Sequence, residues 1–137
     1  MKLLIIEDDS VLMDELTARF KEWDIDAFGI TDFNDVMNDF IKHEPELVIV
    51  DITLPKYDGF YWCRMIRNVS SVPIIFLSSR DHPADMVMSM QMGADDYVQK
   101  PFIRVGMKPV IFQMNSDPAL RTRTSWLIVT FCAALTR

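Results

Sequence analysis

The chain has 137 residues, half of them hydrophobic, which is enough apolar material for the core of one ordinary domain and argues against disorder. Its net charge of -6 argues against unaided binding to nucleic acid, and the two cysteines, Cys63 and Cys132, form neither a disulfide framework nor metal-ligand spacing. The apolar runs, of which residues 126–135 are the longest candidate, fall short of the roughly 20 residues that a membrane span needs. We therefore expect a cytoplasmic protein without a membrane span.

The first half of the chain alternates predicted strands and helices. The apolar run at residues 3–6 is typical of a buried strand, and Ser10 is predicted to cap a helix over residues 11–23. A short strand is expected over residues 26–30, followed by an amphipathic helix over residues 33–42, whose apolar residues recur with helical spacing.

The central strand is predicted over residues 47–50, an uninterrupted apolar run that leads into Asp51. Asp58 is predicted to cap a helix over residues 59–68. A further apolar strand over residues 74–77 ends at a pair of serines, and a short strand is expected over residues 96–99.

Between these last two strands, a methionine-rich helix is predicted after Pro83, and Gly93 is expected to end it. Its apolar residues, among them Met86, Val87 and Met90, are expected to supply core and partner surface. Strands that alternate with helices of about 10 to 13 residues predict an α/β fold, in which a doubly wound parallel sheet of five strands carries helices on both faces.

Polar side chains end the inner strands of this predicted sheet: Glu7 and Asp8, Asp51, Ser78 and Lys100. Parallel strands bring their carboxyl ends to one edge, which is where ligands bind in open α/β sheets. Three crowded carboxylates are unfavourable without a cation, and an oxygen-only ligand set suits Mg²⁺. A serine and a lysine nearby can hold phosphoryl oxygens, and a carboxylate can act as a nucleophile that becomes an aspartyl phosphate. Asp51 alone would also fit a simple turn cap.

Residues 2–102 resemble the receiver domain of two-component response regulators. The resemblance rests on four motifs in order: IEDD at 6–9, DITLP at 51–55 with DG at 58–59, FLSS at 76–79, and GADDY at 93–97 with KPF at 100–102. The stretches LPKYDGFYWCRMIR and FLSSRDHPADMVMSMQMGADDYVQKPF are similar to the bacitracin-resistance and cationic-peptide-resistance regulators of Gram-positive bacteria, which are OmpR-like winged-helix regulators. This implies the flavodoxin-like receiver fold with strand order 2-1-3-4-5.

The resemblance also implies a role for each acidic residue of the site. Asp51 would accept a phosphoryl group from a sensor histidine kinase. Mg²⁺ would be bound by Asp51, by Asp8 directly, by Glu7 through water and by the backbone carbonyl of Thr53. Asp9 falls one place beyond the acidic pair of the family and is expected to cap the following helix or to be solvated.

The resemblance further implies that Ser78 and Tyr97 are the switch pair, which changes conformation on phosphorylation. Lys100 would hold the phosphoryl oxygens. Tyr97 also fits a half-buried strand aromatic, but its spacing from Ser78 and Lys100 favours the switch role. The bond between Lys100 and Pro101 is a candidate cis peptide, which would direct the lysine back into the site.

After Phe102 the family continues with a fifth helix, a linker and a DNA-binding domain. Gly106 and Pro109 interrupt the expected helix, and the net charge changes from -10 over residues 1–102 to +4 over residues 103–137. We expect an atypical tail over 103–137 that replaces the fifth helix, with no DNA-binding domain and no direct contact with nucleic acid. We expect this tail to arise from a shifted reading frame or a rearranged end; the alternative is a tail that binds a partner or a membrane surface.

The family subgroup also forms homodimers through the fourth helix, fifth strand and fifth helix. Asp95 and Asp96 would pair there with basic residues of the fifth helix, which cannot be identified in this tail. A homodimer through the fourth helix and fifth strand is therefore an open expectation.

Two other functions compete with a phosphorylated receiver. A Mg²⁺-dependent phosphohydrolase with an aspartyl nucleophile, of the haloacid-dehalogenase type, would need a second Asp two residues after Asp51, where this chain has Thr53. A degenerate receiver that acts only as an interaction module is the other alternative. We expect a signalling domain rather than an enzyme.

Overall fold

A computed structural model describes residues 2–22, 24–79 and 82–99, apart from the Arg19 side chain. These residues form five strands and four helices in strict alternation: β1 (Lys2–Ile6), α1 (Ser10–Glu22), β2 (Asp26–Phe28), α2 (Val36–His43), β3 (Leu47–Val50), α3 (Gly59–Arg67), β4 (Ile74–Ser78), α4 (Pro83–Gln91) and β5 (Asp96–Gln99). Lys100, Pro101 and the tail over residues 103–137 lie outside the described residues, so the predictions made for them stay predictions.

The five strands form one parallel sheet in the order β2-β1-β3-β4-β5. This confirms the predicted doubly wound receiver fold. The order reverses between β1 and β3, because the chain first adds β2 on one side of β1 and then β3 on the other. Such a reversal opens a crevice at the carboxyl ends of the two strands.

The core follows from the alternation of side chains along each strand. One face of the sheet packs against α2 and α3 in a buried cluster that includes Val50, Phe76, Val36, Trp62 and Ile66. The intervening strand residues are buried as well: Leu3, Ile5, Ile49, Ile75 and Leu77. Burial on both faces explains why the inner strands are continuous apolar runs.

Acidic side chains cap the starts of α1, α2 and α3. Asp58 caps α3 as predicted, since its side chain accepts a hydrogen bond from the Tyr61 N–H at 2.9 Å. The prediction for Ser10 is wrong: Asp9 caps α1, with Oδ1 accepting from the N–H groups of Val11 at 3.0 Å and Leu12 at 3.2 Å. The capping role weighed for Asp9 is therefore confirmed.

Helices α2 and α4 differ from the sequence predictions. The second helix begins at Val36, after the Asp35 cap, and not at residue 33. On α4 the expected core contribution is wrong for Met86, Met88 and Met90, which are each at least 40% exposed, whereas Met92 just after the helix does pack against the core. Gly93 does end this helix, with a φ of +100° that favours glycine. Within the described ranges, no helix has the length and apolar character needed to cross a membrane.

Candidate functional site

The carboxyl ends of β1 and β3 bring three acidic side chains together. Ile6 pairs with Val50 across the two strands, and the Asp51 N–H donates a hydrogen bond of 2.9 Å to the Ile6 carbonyl. The residues that follow, Glu7 and Asp8 on one strand and Asp51 on the other, therefore leave the sheet side by side. One carboxylate oxygen from each lies within 4.8 Å of the other two.

Burial distinguishes the members of this cluster. Glu7 and Asp51 are buried, whereas Asp8 is exposed. One carboxylate thus faces water, which leaves a path for an ion and its retained water molecules. The Glu7 carboxylate is oriented from its own loop, because Oε1 accepts a hydrogen bond of 3.0 Å from the Asp9 N–H. Three carboxylates with one solvent-facing side fit a hard divalent cation such as Mg²⁺, which combines a few carboxylates with water.

The loop after β3 contacts Asp51 through its buried residues and its backbone. Ile52 is completely buried and anchors the loop, and its carbonyl accepts a hydrogen bond of 2.8 Å from the Gly59 N–H at the start of α3. Thr53 is exposed, and its N–H lies 3.4 Å from Asp51 Oδ1, which favours one orientation of the carboxylate. The turn thus contacts the Asp51 side chain, while β1 holds the Asp51 N–H and the start of α3 holds the Ile52 carbonyl.

The predicted switch residues lie on the two adjoining strands. Ser78 ends β4 and is completely buried, and it pairs in register with Gln99 of β5. Tyr97 is 5% exposed, lies opposite Phe76 and belongs to the cluster beneath α2 and α3. Both residues therefore sit beside the edge that carries the acidic cluster, with the Tyr97 ring in the core and not half-exposed. Lys100 and Pro101 follow immediately but lie outside the described residues.

Asp95 and Asp96, which were predicted to pair across a dimer contact, both have contacts within the chain. Asp95 forms an ion pair of 2.7 Å with Arg67 of α3 and also accepts a hydrogen bond of 2.9 Å from the Ile74 N–H. Asp96 is 2% exposed, and its Oδ1 accepts from the Tyr97 N–H at 2.7 Å. Its Oδ2 has no hydrogen-bond partner among the described residues. Within the chain Asp95 is thus paired with Arg67, and its predicted pairing with a second subunit stays a prediction.

Arg67 was not singled out from the sequence, although it organises the opposite edge of the sheet. Its guanidinium also donates to the carbonyls of Gly93, at 2.7 Å, and of Val72. The partners lie up to 28 residues away in the chain, so no local pattern could indicate them. Arg67 thereby ties the end of α3 to the starts of β4 and β5, far from the acidic cluster.

Burial raises the pKa of two side chains, Asp96 and Cys63. Burial raises the pKa of Asp96 to about 6, against the effect of its hydrogen bond from Tyr97, and the neighbouring Asp95 carboxylate raises it further. Burial likewise raises the pKa of the Cys63 thiol to about 11, so this cysteine remains a protonated core residue.

Comparison with known proteins places the chain in a family. The sequence model of the response regulator receiver domain matches residues 3–111. The sensory transduction protein BceR of Halalkalibacterium halodurans is 60% identical over 101 residues, which cover 74% of this chain and 44% of BceR. The response regulator protein GraR of Staphylococcus aureus strain JH9 is 59% identical over 102 residues, which cover 74% of this chain and 46% of GraR.

Solved structures lead to the same family. The N-terminal domain of the nisin resistance regulator NsrR, a lantibiotic response regulator, has a TM-score of 0.67 and 38% identity over 73% of this chain and 85% of that domain. The BeF3-activated receiver domain of Klebsiella pneumoniae RstA has a TM-score of 0.73 and 26% identity, with full coverage of both chains.

The chain belongs to the response regulator receiver domain family. It is the receiver domain of a two-component response regulator, which is a signalling domain, and it is similar to BceR and GraR. The chain spans less than half the length of these two relatives. The resemblance stated from the motifs is thus confirmed.

Proposed function

We propose that the chain accepts a phosphoryl group on Asp51 and changes conformation in response. The observation that carries this proposal is the convergence of Glu7, Asp8 and Asp51 within 4.8 Å at the reversal point of a receiver-type sheet. Asp51 is the proposed acceptor because it follows the central strand, its N–H is bonded to the Ile6 carbonyl, and its Oδ1 accepts from the Thr53 N–H in the adjoining turn.

In the proposed reaction, an Asp51 carboxylate oxygen attacks the phosphorus of a phosphohistidine. The new bond is an acyl phosphate, the phosphorus–nitrogen bond breaks, and the imidazole nitrogen of the kinase retains the electron pair and takes a proton. Glu7, Asp8, Asp51 and the Thr53 carbonyl would hold Mg²⁺, which supplies positive charge against the phosphoryl oxygens when bound. Lys100 is proposed to pair with those oxygens, after a turn at Pro101.

The proposed output runs through Ser78 and Tyr97. A buried hydroxyl at the end of β4 can turn toward new acceptor oxygens on Asp51, and the buried Tyr97 ring on the next strand can occupy the space that is vacated. The proposal therefore makes the chain a switch and not an enzyme with turnover. Thr53 stands where an aspartyl-nucleophile phosphohydrolase needs its second acid, which argues against steady hydrolysis.

The proposed partner is a sensor histidine kinase in the cytoplasm. The similarity to NsrR, a nisin resistance regulator, and to BceR and GraR supports a role in regulating resistance to peptide antibiotics or the response to envelope stress. Homodimerisation through α4 and β5 stays a proposal, supported by the exposed Met86, Val87, Met88 and Met90. We propose no direct contact with nucleic acid for this chain.

The proposal is tested by incubating the protein with a small acyl-phosphate donor and Mg²⁺ and then measuring its intact mass. The wild type should gain one phosphoryl group, Asp51→Asn should gain none, and Asp14→Asn, an exposed acid on α1, should behave as the wild type. Continuous release of phosphate would favour the phosphohydrolase, and a protein that is never modified would favour the degenerate interaction module.

A further inference from the structure

Gly59 lies against the backbone of Asp51. It is the first residue of α3, is buried, and donates its N–H to the Ile52 carbonyl at 2.8 Å. A Cβ built on Gly59 would penetrate the Asp51 carbonyl oxygen and would lie 2.9 Å from the Asp51 carbonyl carbon and 3.0 Å from Phe76 Cε1. The start of α3 therefore approaches the chain at Asp51 more closely than any residue with a side chain could.

The backbone conformation does not explain this glycine. Gly93 is the described glycine with a positive φ, and a Cβ there would mainly meet the flexible Arg67 side chain, with Cγ at 2.9 Å. At Gly59, in contrast, the atoms in the way belong to the backbone of the central strand, which cannot turn aside as a side chain can. A glycine is thus required at position 59 because there is no room for a side chain, and at position 93 because the φ angle is positive.

The contacts of Gly59 fix the two peptide groups that follow Asp51. The Asp51 carbonyl lies against its Cα, and the Ile52 carbonyl accepts its N–H. These two peptide groups connect Asp51 to Thr53, whose N–H lies 3.4 Å from Asp51 Oδ1 and so favours one orientation of the carboxylate. A methyl group at residue 59 would push α3 and this short segment apart, and would move the groups proposed to hold the metal.

We propose that Gly59 is a positioning residue for the phosphoacceptor site: it holds Asp51 and Thr53 in the geometry that binds Mg²⁺ and receives the phosphoryl group. This inference rests on the function proposed above. It differs from a purely structural role, in which Gly59 would contribute to stability but not to metal affinity in the folded protein.

The test compares Gly59→Ala with Gly93→Ala in the full chain. Both substitutions add one methyl group at a constrained glycine, but only the first lies at the acidic cluster. Circular dichroism first identifies a temperature at which both variants are folded, and Mg²⁺ is then titrated by calorimetry. We expect Gly59→Ala to weaken Mg²⁺ binding by about 10- to 100-fold, as loss of ligand support does elsewhere. Its phosphorylation should slow, whereas Gly93→Ala should bind Mg²⁺ as the wild type does.

A second measurement uses the wild type, in case Gly59→Ala does not fold. Mg²⁺ should shift the amide NMR signals of Gly59 and Thr53 together, and should leave that of Gly93 in place. An unshifted Gly59 signal, or equal Mg²⁺ affinity in Gly59→Ala and the wild type, would overturn the positioning role alone. A wild type that binds no Mg²⁺ would instead overturn the proposed function, and the inference with it.

Discussion

The Asp51 N–H donates a hydrogen bond of 2.9 Å to the carbonyl of Ile6, the last residue of β1. This contact continues the pairing of β1 with β3 by one step beyond the strands. Because β1 and β3 end at the paired residues Ile6 and Val50, the acids that follow Ile6 must lie beside Asp51. The acidic cluster is therefore a consequence of strand register, and its assembly requires no long loop.

The first prediction concerns Mg²⁺ and Asp8. A bound ion would relieve repulsion among the three carboxylates and would bind the folded state only, so Mg²⁺ should stabilise the wild type by about 2.7 kcal/mol at 100 times its dissociation constant. Thermal unfolding followed by circular dichroism should show a higher Tm with Mg²⁺. Asp8→Ala should abolish this shift, and Asp14→Ala should retain it. An unchanged shift in Asp8→Ala would contradict the assigned ligand set.

The second prediction concerns the switch residues. Ser78→Ala removes the buried hydroxyl that is proposed to turn toward the phosphoryl group, but it leaves Asp51 in place. The variant should therefore still gain a phosphoryl group, while the NMR signals of the Tyr97 ring should no longer shift on phosphorylation. Ser70→Ala, at the opposite edge of the sheet, should respond as the wild type does. A full Tyr97 response in Ser78→Ala would show that the coupling takes another route.

The third prediction separates Asp9 from its acidic neighbours. Asp9 Oδ1 accepts two backbone hydrogen bonds at the start of α1, so Asp9→Ala should lower the free energy of unfolding by about 1 kcal/mol. The Tm should fall by about 4 to 8 °C. Asp9→Asn preserves a capping oxygen and should lose little. Phosphorylation should persist in both variants, and its loss in Asp9→Asn would indicate a direct role for the Asp9 charge.

The fourth prediction concerns pH and Asp96. Its pKa is about 6 in the folded protein against an ordinary value of 3.8, because burial disfavours the charged carboxylate. Between these values the folded state holds a proton that the unfolded chain has released. The contribution of Asp96 to the free energy of unfolding should therefore fall as the pH rises from about 4 to about 6, by no more than about 3 kcal/mol.

Urea unfolding across this pH range measures the effect. Asp96→Asn has no carboxyl group to titrate and retains an acceptor for the Tyr97 N–H. Its free energy of unfolding should therefore not fall between about pH 4 and about pH 6 as that of the wild type does. Near pH 7 the variant should be more stable than the wild type. Asp95→Asn, which breaks the ion pair with Arg67, should be destabilised instead. Parallel pH profiles of Asp96→Asn and the wild type would contradict the raised pKa.

The sequence predicted those parts of the fold whose signals are local. The bounds of β3 and β5 agree with the strands predicted over residues 47–50 and 96–99. Asp58 caps α3 because an Asp before a helical stretch can accept the first free N–H groups. The start of α2 was misplaced because Phe33 matches helical spacing and packs on the core from a loop. Periodicity alone does not distinguish these two ways of burying an aromatic ring.

The remaining differences arise from tertiary contacts. The ion pair of Asp95 with Arg67 was not predicted, because the two residues lie 28 positions apart and no local signal links them. The approach of Gly59 to Asp51 likewise depends on how α3 meets the sheet, although the DG pair at 58–59 was part of the motif. The acidic cluster could be predicted because parallel topology brings the strand ends together whatever the details of packing.

The central claim is that Asp51 is the phosphoacceptor, and peptide mapping tests it most directly. The protein would be phosphorylated by a small acyl-phosphate donor with Mg²⁺, and the acyl phosphate would be trapped by borohydride reduction and located by mass spectrometry. The account predicts a single modified residue, Asp51, and no trapped product in Asp51→Asn. A modification on Asp8, Glu7 or another acid in the wild type, or one that persists in Asp51→Asn, would contradict it.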